Sequence, residues 1–339
     1  MAANSWEQLI ASWEPRMRQA FLEAVYQIRD SITIKELARL IEAGRIDDAV
    51  RAVGLDPGKF RSMNSTLAAA YEAGGVAVMG SIPPALVRAG YRLNIDFNVR
   101  NLRAEEWLRT YSAQMIREIT ESQRVMIRDV LVKGMEEGRG PRDVAGDLLG
   151  RFNRKTGQRE HGLIGLTQTQ VEWARNYARE LATGDPAALT RKMRDARFDG
   201  IIRRAIAEKR GLTKAEALPI FRAYLHRALR VRAETIARTE MLASFHAAQQ
   251  ESYQQAIDAG QLTEAQVTKT WVSMRDDRVR FTHDEHGGLD GTTVPFSGVF
   301  VSPRGGILRY PGDKMAPLAE TVNCRCHLRY SVSYINDLR

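Results

Sequence analysis

Two cysteines, Cys324 and Cys326, are the only thiols in 339 residues, and they stand one residue apart in ETVNCRCHLRYSV. In a strand, residues i and i+2 project from the same face, so both thiols point together. A disulfide between them would close a strained small ring, which ordinary disulfide geometry does not suit. Two thiols on one face can instead supply half of a tetrahedral zinc site. His283 and His286, in RDDRVRFTHDEHGGLDG, are the natural further ligands, and zinc is the cofactor such a set would take. His327 is expected to point to the opposite face. The same cysteines continue an apolar stripe of Leu328, Tyr330 and Val332, and free cysteine is among the most buried residue types. Buried core and reactive thiol therefore stand beside the metal reading.

A second dense cluster is Asp276, Asp277, Arg278, Arg280 and His283. Acid–base or phosphodiester chemistry uses such groups, with arginine stabilising an oxyanion. A charged turn held by Asp–Arg pairs uses them too. The sequence has no P-loop, GxGxxG, HExxH or GxSxG, and no catalytic constellation is complete. The expectation is a protein without catalysis of its own.

The elements that would carry these residues are mostly helices. Trp6 to Ile34 has helical spacing. Leu108, Tyr111, Met115, Ile119, Met126 and Val130 form one stripe within a helix over 105–133. Pro141 suits a helix start, and Thr167 to Gln170 reads as a capping box opening a helix toward Leu181. The longest pattern runs from Lys214 to Ile257, with Pro219 as a kink or as the true start, and Arg230, Glu234 and Arg238 fall on one i,i+4 face. After Gly260 the period changes. Thr268–Ser273, Phe296–Val301 and Ile307–Tyr310 read as strands, and Cys324 to Val332 alternates. The fold class expected is a mainly α N-terminal region, 1–258, followed by a small α+β domain, 259–339, with a long spine helix leading into it.

Composition is that of a soluble globular chain, 44% hydrophobic and 27% charged. The charge-free run Ala73–Val87 is broken by Gly80, Pro83 and Pro84, so no membrane-spanning segment is expected. Early charges argue against a signal peptide, and two cysteines give no disulfide framework, so an intracellular setting is expected. The net charge is +9, and residues 187–240 hold 14 Lys or Arg against 6 Asp or Glu. Arg191, Lys192, Arg194, Arg197, Arg203, Arg204, Lys209 and Arg210 are candidates for nonspecific phosphate contacts with double-stranded DNA. A salt-bridged helical face is the other use of such residues.

AETIARTEMLASFHAAQQE (233–251), TWVSMRDDRVRFTH (270–283), LDG (289–291), RYPGD (309–313) and ETVNCRC (320–326) occur in that order. Together they resemble the head-morphogenesis domain of the phage Mu F-like minor head proteins of tailed bacteriophages. The motif region starts at about residue 233, inside the spine helix. The patterned positions fall on Arg238, Glu240, Asp276, Arg278, Arg280, His283, Gly291, Cys324 and Cys326. In the family, histidine and glycine are separated by about five residues. Here His283 stands eight before Gly291 and His286 five before it, so either histidine can take the family position. The resemblance implies a virion component of the phage head, several copies per particle, assembled in the bacterial host cytoplasm. It also implies association with the portal, the capsid interior and packaged DNA, and a role in head assembly or genome delivery. The His-plus-paired-Cys arrangement has the look of metal ligands. A metal-dependent nuclease or related hydrolase using Asp276, His283, Cys324 and Cys326 is the alternative.

Overall fold

The computed structural model describes residues 3–79, 97–284 and 286–333. Gly80, Pro83 and Pro84 lie outside them. Among the described residues no helix is long and apolar enough to cross a membrane. The architecture is mainly α with a small C-terminal sheet region, as the periodicity predicts. Its helices are α1 (Ala3–Arg29), α2 (Ile34–Glu42), α3 (Ile46–Ala52), α4 (Arg61–Met79), α5 (Leu102–Glu136) and α6 (Pro141–Leu149). A hairpin of β1 (Arg151–Asn153) and β2 (Gln158–Glu160) precedes α7 (Gln168–Thr183), α8 (Asp199–Ala207) and α9 (Lys214–Asp258). Then come β3 (Val267–Val272), β4 (Thr293–Pro295), β5 (Phe300–Val301), β6 (Ile307–Leu308), α10 (Leu318–Thr321) and β7 (His327–Val332).

Local chemistry sets the boundaries. The pattern from Trp6 to Ile34 divides, because α1 ends at Arg29 and Thr33 with Glu36 forms a capping box that starts α2. Thr167 and Gln170 form the expected box at α7, and Gly184 closes that helix at φ +71°. Pro219 lies inside α9, not at its start. β3 keeps the expected length one residue earlier, β5, β6 and β7 are shorter than the sequence implies, and the cysteines precede β7 instead of lying in it.

The chain forms two compact units. One holds residues 20–62 and 114–233. Its loop 162–166 is pinned by buried side chains: Arg29 donates to the carbonyls of Gly162 (2.7 Å) and Ile164 (3.0 Å), and Arg232 to that of Gly165 (3.0 Å). Gln123 donates to Leu166 O and accepts from Gly165 N. These bonds satisfy carbonyls that burial would otherwise strand.

The other unit holds residues 1–19, 63–113 and 234–339. Its sheet has the order β4-β3-β7, antiparallel throughout, with Trp271 of β3 opposite Leu328 of β7. The second half of α9 runs through this unit as a nearly all-buried segment. Two glycines allow close approach to it. A Cβ on Gly74 of α4 would lie 2.7 Å from the Phe245 ring, and one on Gly312 would lie 3.1 Å from Ala243 Cα.

Candidate metal centre

The fixed point of the site is a short turn, Asn323 to Cys326, between α10 and β7. Asn323 adopts φ +58°, which asparagine tolerates better than most residues. Its N–H donates to Thr239 Oγ1 (2.9 Å), and its side-chain oxygen accepts from Arg238 (3.2 Å). Arg238 also reaches Glu14 of α1 at 3.1 Å. Thus α9, through the Arg238–Thr239 pair of its IARTE stretch, holds the turn. Lower on α9, His246 is wholly buried and faces the Cys326 carbonyl at 3.3 Å. Burial pushes its pKa down to about 4, so it supports the turn as a neutral ring.

The turn is clamped from the other side by the loop after β3. Arg280 donates to the carbonyls of Glu320 and Val322, the latter at 2.6 Å. Arg325 pairs with Asp276, which also accepts from Arg278 N and Nη2 at 3.1 and 3.2 Å. The Arg325 contact above all holds Asp276 at a pKa of about 2. Gly291, at φ +78°, returns its N–H to Trp271 O (2.9 Å) and closes the loop.

This frame brings His283, Cys324 and Cys326 together, with their donor atoms within 4.8 Å of one another. All three are buried, at 1%, 4% and 2% exposure. His283 Nδ1 lies 3.7 Å from Cys324 Sγ and 3.8 Å from Cys326 Sγ. Tetrahedral zinc, with bonds of roughly 2.3 Å to sulfur and 2.0–2.1 Å to nitrogen, sets its N···S edges at about 3.6 Å. Two sulfurs and one imidazole are also the soft and borderline donors zinc prefers. The residues therefore fit such an ion on both spacing and chemistry.

The electrostatics agree. Contact with Cys326 outweighs burial and, with His283 nearby, holds Cys324 well below the ordinary thiol range. Cys326, facing that thiolate in a dry site, is held well above it, with the Trp271 indole working against the rise. The pair gives up one proton readily and keeps the second. A bound cation is what would release it.

Glu320 is the residue that the spacing arguments missed. It is 3% exposed, and its carboxylate accepts from Thr282 Oγ1 (2.8 Å) and Ser302 Oγ (2.9 Å). His283 Nε2 lies 2.9 Å from its Oε2, an ion-pair distance without the alignment of a good hydrogen bond. Burial raises the Glu320 pKa, but those two hydroxyls, His283 and Arg280 outweigh it and keep the group ionised. The glutamate is four residues before Cys324, a separation no ligand-spacing rule singles out.

His286 is exposed and outside the three-donor group, its N–H donating to Asp284. His327 sits in β7 opposite Val272 and is not a donor. Glu240 pairs with Lys314 at 3.5 Å. Of the eight basic candidates, several are neutralised within the chain. Arg191 binds buried Glu180, Arg194 binds buried Asp199 (3.0 Å), and Arg197 binds Asp195 (2.6 Å). Arg210 binds Glu208 (2.6 Å) and Glu216 (3.0 Å). Arg203 reaches Asp199 only at 3.8 Å, and Lys192, Arg204 and Lys209 are exposed with no carboxylate partner among the described residues.

A mainly α chain whose C-terminal part brings a histidine of one loop and the two cysteines of a turn together beside a long helix is thus the class defined by fold and site. The family described as phage Mu protein F like protein matches residues 125–329, and the chain belongs to it. It is a phage head family, which carries with it a virion location and capsid-related partners. No curated protein and no solved structure matches.

Proposed function

We propose that the chain is a minor head protein of a tailed phage, associated with the portal and the packaged genome, and without catalysis of its own. Residues 259–339, with the motif stretch beginning near 233, form its head-morphogenesis module, and 1–258 its helical portal- and DNA-facing region. The His283–Cys324–Cys326 centre acts as a structural staple for one zinc ion, tying the loop after β3 to the turn before β7. The ion would supply a fixed positive centre there, and Glu320 would steady the imidazole that faces it.

The observation that carries the noncatalytic reading is the state of Asp276. The hydrolytic alternative built on Asp276 would need this carboxylate on the metal or on a water, yet it is bound by Arg325 and Arg278. The three donors are buried, and a staple requires a fourth ligand to close the tetrahedron around them. Metal content and DNA or RNA cleavage, measured on purified protein, test this. Bound zinc without turnover is expected, and metal-dependent cleavage lost in His283→Ala would establish the nuclease alternative.

For DNA, the exposed cations Lys192, Arg203, Arg204 and Lys209 are the phosphate contacts. Four such contacts give a log–log salt slope of about −3.6 on duplex DNA, independent of sequence. Reversing all four charges should abolish binding, and an unchanged slope would move the contact elsewhere. Portal association predicts a defined stoichiometric complex with the portal protein that survives added salt.

A further inference from the structure

Within the unit formed by residues 20–62 and 114–233 lies a cleft of about 470 Å3. That size is in the range of roughly 300–1,000 Å3 typical of ligand pockets. None of its lining residues belongs to the metal centre or to the eight basic candidates. Its apolar wall comes from Leu163, Val171 and Ala174 together with Leu218, Phe221 and Leu225 of α9. Leu218 is 42% exposed at its mouth.

The charges around that wall are not balanced internally. Arg139 is paired with Asp147, and Arg175 with Asp129 at 3.2 Å. Arg151, Lys214 and Arg222 also line the cleft and have no carboxylate partner among the described residues. His161, another lining residue, is held at φ +61°, an uncommon conformation for a non-glycine residue. Its Nδ1 is buried without a hydrogen-bond partner. A non-glycine residue at positive φ and an unsatisfied buried nitrogen each call for an explanation, and a ligand in the cleft supplies one.

We propose that this cleft binds a peptide segment of a partner protein that carries an acidic residue next to an aliphatic or aromatic one. The carboxylate would take the unpaired cations, and the apolar side chain would lie on the wall of Leu218, Phe221 and Leu225. A peptide fits better than a nucleic-acid strand for two reasons. Asp143 and Glu160 also line the cleft and would repel a run of phosphates, whereas Asp143 would accept from peptide N–H groups; the Glu160 carboxylate is taken by Asn153 and Thr156. The wall is aliphatic with a single aromatic ring, whereas strand binding relies on a series of stacking platforms.

The test pans a library of random displayed peptides on the full chain and counter-selects on Arg222→Glu. Recovered peptides are then measured by fluorescence anisotropy against the wild type and against Leu218→Asp and Lys214→Glu, with circular dichroism confirming that each variant is folded. Leu218 and Lys214 are both exposed, so these changes leave the core intact. The expected result is enrichment of acidic–apolar peptides whose affinity drops at least about tenfold in each variant and is unaffected by an oligothymidylate competitor. No enrichment over the counter-selection, equal binding to the variants, or displacement by oligothymidylate would overturn the proposal. Loss of metal in Cys324→Ala should leave peptide binding unchanged, so this result is separable from the fate of the metal centre.

Discussion

His283 stands between the two thiols and a buried carboxylate: Nδ1 faces Cys324 and Cys326 at 3.7 and 3.8 Å, and Nε2 lies 2.9 Å from Glu320. A carboxylate in this position steadies the orientation of a metal-binding imidazole, and its loss typically costs 10–100-fold in affinity. Glu320→Gln should weaken zinc binding by about that factor in chelator competition. Unchanged affinity would mean that the glutamate serves only the Thr282–Ser302 network.

Arg238 joins α1, through Glu14, to the Asn323 turn. It is 30% exposed, so its bonds are partly screened. Arg238→Ala should lower stability by about 1–2 kcal/mol, the range of a charge-assisted hydrogen bond in a half-buried setting. Urea unfolding checks this, and a midpoint equal to the wild type would contradict it.

Gly312 sits at φ +83° with Ala243 Cα 3.1 Å from where its Cβ would be. Gly312→Ala therefore combines backbone strain with a clash against the backbone of α9. The cost should exceed ~1 kcal/mol, read as a lower denaturant midpoint with unchanged m-value.

Asp313 accepts from Arg309 Nε and Nη2, both at 2.8 Å. Burial raises its pKa, but the Arg309 bonds outweigh it and hold the group below the ordinary carboxylate range. A depressed folded pKa gives stability that is present above the unfolded value of about 3.9 and is lost as pH falls through the folded one. Asp313→Asn should thus be less stable than wild type at pH 7, with the gap closing as pH falls below the unfolded value. A gap independent of pH would assign the loss to packing.

The helices were legible because their signals are local: the Thr167–Gln170 box, Pro141 at a first turn, and the stripe through Met115, Met126 and Val130. The break between Arg29 and Ile34 was not, since both helices continue one apolar periodicity and only the Thr33 cap divides them. In the C-terminal part, strands of two and three residues carry too little alternation to register, and β4 was missed. Cys324 and Cys326 precede β7, so the i, i+2 rule of a strand does not apply to them; it is the turn before β7 that brings both thiols to His283. Between His283 and His286 the sequence offered no decision. The structure brings His283 to the thiols and leaves His286 exposed. Lastly, the 14 cations of residues 187–240 overstated the free charge: Arg194, Arg197 and Arg210 pair with acids already counted in that segment, and Arg191 pairs with Glu180 of α7, a partner that only folding brings near.

The most direct test of the metal-stapled head protein is zinc content joined to thermal unfolding of the full chain, with and without a strong chelator. One equivalent of zinc is expected in the wild type, close to none in Cys324→Ala and His283→Ala, and a chelator-induced fall in Tm that those variants do not show. A wild-type chain that contains no zinc, takes none up when it is supplied, and keeps the same Tm in chelator would contradict the account.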